Sequence, residues 1–110
     1  MSSGQNSNVT VQDICAISMT ASGTATVTDS ARQCTAARNA QGVCRITLNT
    51  GTAIESDKLV ARITNKTAGV RSFAVIPVAG SGETQYDVTS IDAAAAAQDT
   101  DFSIVLGQWV

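Results

Sequence analysis

Apolar and polar residues alternate with period two along most of this chain. That pattern predicts strands, because successive side chains of an extended backbone point to opposite faces. Val43 to Asn49 is the cleanest run, with Cys44, Ile46 and Leu48 on one face and Arg45, Thr47 and Asn49 on the other. Lys58 to Asn65 repeats it, with Leu59, Ala61 and Ile63 inward and Arg62 and Thr64 outward. Gly23 to Thr28 sets Ala25 and Val27 on one face. Val9 to Thr20, Val70 to Val78 and Thr84 to Ile91 are rich in β-formers, and Phe102, Ile104 and Leu106 make the inward face of a last run. Asn49-Thr50-Gly51, Thr67-Ala68-Gly69 and Gly80-Ser81-Gly82 separate these runs. Glycine there supplies the positive φ of tight turns. Pro77, which has no N–H to give a ladder, marks an edge, a bulge or a strand end.

Two segments break the pattern. Asp29 to Gly42 (DSARQCTAARNAQG) offers Asp29 or Ser30 as N-cap, an Ala/Arg/Gln body and Gly42 at the stop position. It predicts one short helix near residues 30–41. Ser90 to Gln98 (SIDAAAAAQ) reads either as a helical turn capped by Ser90 or Asp92, or as a loop crossing the end of the fold. The fold expected is mainly β: a β-sandwich or small barrel of about seven antiparallel strands with that one helix. Residues 1–8 (MSSGQNSN) read as a flexible lead-in, and 9–110 as a single β domain.

Composition sharpens this picture. Only 4% of the 110 residues are aromatic, so the core must rest on aliphatic side chains, with Phe73, Phe102 and Tyr86 as its few large pieces. Seven Lys and Arg face nine Asp and Glu, and no basic run occurs. Nucleic-acid binders carry a basic patch that displaces counterions, so a nucleic-acid partner is not expected. Arg32, Arg38, Arg45, Arg62 and Arg71 could gather only through folding; scattered solvated arginines are the simpler reading. No run approaches the roughly 18 apolar residues of a membrane span. The first residues lack the apolar stretch of a signal peptide, which fits a chain made in the cytoplasm or a mature domain cut from a precursor.

The chain has no histidine, which removes the commonest general base and zinc ligand together. Neither Lys58 nor Lys66 sits in an apolar context beside a serine, so no activated nucleophile is expected and the chain does not read as an enzyme. No catalytic residue, metal ligand set or cofactor is assigned. Cys15, Cys34 and Cys44 have the wrong number and spacing for a structural zinc. A disulfide between Cys34 and Cys44, leaving Cys15 unpaired, competes with three buried thiols. Asp99 and Asp101, with Asp87 and Asp92 nearby, could collect Ca²⁺ oxygen ligands but lack EF-hand spacing; a solvated turn is the simpler reading. Asn8-Val9-Thr10 and Asn65-Lys66-Thr67 match the glycosylation sequon, which matters only in a secretory pathway. The only tryptophan, Trp109, stands beside the end of the chain, and tryptophan is enriched among interface anchors. It competes with a tryptophan lying over its own sandwich. Trp109 and Val110 at one end, and Val9 and Val11 at the other, are the candidate interface anchors, because both terminal runs carry almost no charge to protect a free edge.

The Thr, Ala, Val and Ser-rich, nearly neutral composition, with the ending YDVTSIDAAAAAQDTDFSIVLGQWV, resembles the small β-sandwich structural proteins of tailed bacteriophages, such as head decoration proteins. The resemblance implies a non-enzymatic, oligomeric subunit on a virion, made in the host cytoplasm, whose partners are copies of itself or capsid subunits. The chain lacks the C-terminal helical pair expected of a coat protein similar to those of single-stranded RNA phages. The alternative is an extracellular binding module, a β-sandwich recognising carbohydrate or protein, cut from an adhesin or pilus.

Overall fold

In the central strands the alternation in the sequence becomes alternation in burial, whereas Ala61, expected inward, is exposed. The structure, a computed structural model, describes residues 10–27, 34–49 and 53–109. Eight strands form among them: β1 (Val11–Met19), β2 (Ala25–Val27), β3 (Cys34–Ala40), β4 (Val43–Leu48), β5 (Leu59–Asn65), β6 (Ser72–Pro77), β7 (Gln85–Ile91) and β8 (Phe102–Trp109). Cys15, Ile17 and Met19 of β1 are buried, as are Cys44, Ile46 and Leu48 of β4, Tyr86 and Val88 of β7, and Phe102, Ile104 and Leu106 of β8. Residues between them are half-buried or exposed. Apolar transfer favours this arrangement by roughly 25 cal/mol for each Å² removed from water.

These faces meet in a two-layer sandwich. One four-stranded sheet runs β2-β1-β8-β5 and the other β3-β4-β7-β6, and all neighbours are antiparallel. Both sheets are open, so the architecture is a sandwich and not a closed barrel. The strands that carry the core stand in the middle of each sheet, and β2, β5, β3 and β6 form the edges. Phe73 and Phe102 touch across the two layers in a tilted pair with ring centres 5.3 Å apart.

The seven expected strands are present, and the expected helix is not. Residues 34–40 form strand β3, and residues 30–33 of the proposed helix lie outside the described residues. Tertiary pairing overrides the helix propensity of the Ala/Arg/Gln body: Ala40 pairs with Val43 across the Gln41-Gly42 turn, which folds β3 back along β4. The glycine taken for a helix stop is a hairpin glycine, with φ of 73°. A Cβ there would lie 2.8 Å from both Ser90 O and Gln98 N, so the turn is packed as well as bent. Ser90 to Gln98 is not helical either: Ser90 and Ile91 end β7, and residues 92–98 form a loop after it. Asp92 caps it, its Oδ1 accepting the backbone N–H groups of Ala94 at 2.9 Å and Ala96 at 3.0 Å. The lead-in at 1–8 lies outside the described residues.

Candidate assembly interface

Strand β8 owes its importance to its place between β1 and β5. Its inward residues Phe102, Ile104 and Leu106 are buried, so Ser103, Val105, Gly107 and Trp109 take the outer face. Register places Gly107 between Asp13 of β1 and Val60 of β5, and Trp109 opposite Val11. A β-bulge between Asp13 and Cys15 shifts the start of β1, which turns Val11 and Asp13 outward while Cys15 still faces the core. The close approach at Gly107 shows this packing directly: a Cβ there would meet Val11 Cγ1 at 3.1 Å and Gln12 O at 2.7 Å.

The outer face of this sheet therefore carries Val11, Val60, Val105 and Trp109 together with Asp13 and Arg62, about the buried Gly107. Trp109 is 45% exposed, the third of three large apolar residues on the described surface after Val70 and Ile76. The ion pair between Arg62 and Asp13 crosses β8 on this same face, because Asp13 stands opposite Gly107 and Arg62 opposite Val105. Of the four candidate anchors, Trp109 and Val11 come together here, and Val9 and Val110 lie outside the described residues.

The cysteine expectation is corrected. The bond joins Cys15 to Cys34, with Cα atoms 6.2 Å apart, and Cys44 is the free, buried thiol. Cys34 lies opposite Leu48 in the β3–β4 ladder, which sets Cys44 four residues further along β4, about 13 Å away at a strand's rise. Cys15 reaches Cys34 from the facing sheet, so the disulfide ties the two layers together. Burial, and after it the charge of Asp87, pushes the Cys44 thiol up to about 11, which disfavours the reactive thiolate.

The carboxylates raised as a calcium alternative do not converge. Asp99 accepts the Gly42 N–H at 2.8 Å and Arg38 Nε at 3.1 Å. Asp101 accepts the Ala21 N–H at 2.6 Å, Asp87 pairs with Arg45 at 2.8 Å, and Asp92 holds its own loop. The described arginines are dispersed in the same way: Arg71 donates to Thr100 Oγ1 at 3.0 Å, while Arg38, Arg45 and Arg62 each face one aspartate. A shallow depression beside Cys44 is lined by Ser90, Asp99 and Thr100, but their side chains are already engaged. Ser90 and Thr100 hydroxyls both donate to Gln98 O, at 2.7 and 3.0 Å.

No helix among the described residues is long and apolar enough to cross a membrane. The chain matches no protein-family model, no curated protein sequence and no solved structure.

Proposed function

We propose that this protein is a non-enzymatic structural subunit that works by binding other protein subunits, in the manner of a phage virion decoration or minor capsid protein. The observation that carries the reading is the exposed Trp109 beside Val11 on the outer face of a sheet. A tryptophan held half out of water by a rigid strand is the type of side chain that anchors interfaces, with about 2 kcal/mol or more lost on truncation. The absence of histidine and the engagement of Asp87, Asp92, Asp99 and Asp101 in separate structural contacts support a role without catalysis. The virion setting rests on the resemblance of composition and strand pattern.

The inter-sheet disulfide favours the second reading, an extracellular binding module. Disulfides persist in oxidising surroundings and are rare in the cytosol. A virion protein meets the same condition only after release from its host.

Trp109→Ser tests the proposal. The variant should keep the wild-type far-UV spectrum and lose affinity for the assembled particle or partner, read as free against bound protein in sedimentation velocity. Retained binding moves the anchor elsewhere. Loss of the folded spectrum makes Trp109 a support of its own sandwich.

A further inference from the structure

The four edges of the sandwich are not alike. Edge strands expose unpaired N–H and C=O groups, and soluble proteins blunt them by shortness, charge, bulges or proline. Strand β2 has three residues among the described residues. Strand β5 carries Arg62 and is flanked by Lys58 and Lys66. Strand β3 carries Arg38 and a bulge between Arg38 and Ala40. Strand β6 differs from all three, because its only such device is Pro77 at its last position: no charged residue occurs from Ser72 to Gly82, and its Ile76 is 51% exposed.

The direction of its backbone groups follows from one bond. Val78 N–H donates to Gln85 O at 2.9 Å, toward β7. In an antiparallel ladder alternate residues face the partner, so Ser72, Ala74 and Ile76 turn their N–H and C=O groups to β7. On the far side of β7, Leu48 N–H donates to Thr84 O at 2.8 Å, which agrees with that phase. Phe73 and Val75 then direct both of their backbone groups off the edge. Pro77 also faces outward, where its missing N–H costs the sheet nothing.

We propose that β6 pairs antiparallel with β6 of a second copy of this chain, about a two-fold axis at Ala74. This register sets Phe73 against Val75 of the second copy, and Val75 against its Phe73, and both pairs exchange N–H···O=C bonds in both directions. Pro77 falls opposite Arg71, beyond the strand, so its missing donor leaves the paired core intact. Moving the axis to Val75 would set Pro77 against Phe73 and forfeit a bond. Moving it to Phe73 would set Val75 against Arg71, outside the strand. At the axis Ala74 meets Ala74 in a non-hydrogen-bonded pair, the closest approach in an antiparallel ladder, where a small side chain fits best. Exposed Ile76 comes to lie beside Ser72 of the second copy. The strand is uncharged, so two copies meet without like-charge conflict. The result is one continuous sheet spanning both subunits, on the layer opposite to Trp109.

Sedimentation velocity of the wild-type chain should show a monomer–dimer equilibrium. Ala74→Glu, which places like charges together at the axis, should raise the dissociation constant roughly tenfold or more, with an unchanged far-UV spectrum because Ala74 is exposed. Ala74→Cys should give a disulfide-linked dimer on mild oxidation, since the close pair lies within bridging range. Ser72→Cys alone should not, and the Ser72→Cys/Ile76→Cys double variant should. Trp109→Ser should leave this dimer in place, which separates the β6 contact from the proposed anchor. A wild-type chain that stays monomeric at its highest soluble concentration overturns the pairing and leaves the edge to a strand from another protein. A dimer that is insensitive to Ala74→Glu, and that forms no cross-link in the Ala74→Cys variant, overturns it as well.

Discussion

Tyr86 shows how much one side chain holds in a core so poor in aromatics. Its ring is fully buried in β7, and its hydroxyl donates to the carbonyl of Ile54, itself fully buried in the β4–β5 connection. Burial, and then the charge of Glu83, raises the Tyr86 hydroxyl above the usual phenol range, so the donor stays protonated. Tyr86→Phe keeps the ring and leaves the Ile54 carbonyl without its partner. Unfolding in urea should show a loss of about 1–2 kcal/mol with little change in slope. An unchanged midpoint would mean that water replaces the hydroxyl. Tyr86 was legible as a core residue because the chain has so few large side chains with which to fill its interior. Its partner was not, because a carbonyl in a connecting segment leaves no trace in side-chain pattern.

At the scale of elements, β3 is the informative case. Cys34 is its only buried side chain, and Ala36 packs beside the core, so the strand has little apolar surface of its own. Its ladder to β4, the Arg38–Asp99 pair and the bond to Cys15 hold it in place. Local propensity pointed to helix, because Ala, Arg and Gln favour it and the strand's register partner lies beyond the turn. The available signal was the Gln41-Gly42 pair set directly against the clean VCRITL run. The correct cysteine pair was illegible for a related reason: which strands face one another across two sheets is a property of topology, and sequence spacing does not report it. Closing the nineteen-residue separation between Cys15 and Cys34 should stabilise the fold by about 3 kcal/mol. Cys15→Ala or Cys34→Ala should therefore lower the urea midpoint strongly, and reducing agent should do the same to wild type alone. Mass spectrometry after alkylation of the unreduced, folded chain should find Cys44 unlabelled; labelling of Cys44 with an intact bridge would show that its strand opens.

For the whole molecule, charge predicts how stability varies with pH. Hydrogen bonds from Ala96 N–H, then Gln98, hold the Asp92 carboxyl below the usual carboxylate range. The Gly42 N–H, then Arg38, do the same for Asp99. A carboxyl depressed in the folded state stabilises above its unfolded value of about 3.9, and that contribution fades as pH falls through the folded value. With no histidine to titrate, stability should be flat across neutral pH and drop on the acid side. Thermal midpoints between about pH 7 and pH 2 should follow this shape, and Asp99→Asn should flatten the acid limb. A steep change near neutrality would contradict it. The mainly β, antiparallel character was legible at this scale because β1, β4, β7 and β8 each bury every second residue, whereas the choice of sandwich over barrel was not, because strand alternation is common to both. Trp109 and Val11 were legible as separate candidate anchors, but their meeting was not; the bulge in β1 that brings Val11 to the face of Trp109 has no signature in the alternation.

The disulfide also determines how the sandwich bears tension. Val11 and Trp109 lie side by side at one end of the β1–β8 ladder, so a load applied through them peels that ladder pair by pair instead of shearing all its bonds at once. Peeling passes Gln12 and Asp13 and then arrives at Cys15, which is covalently fastened to the opposite sheet. An oxidised chain held at those two points yields a few residues of slack and stops. A reduced one continues to unzip toward Met19, and with it the middle of the core.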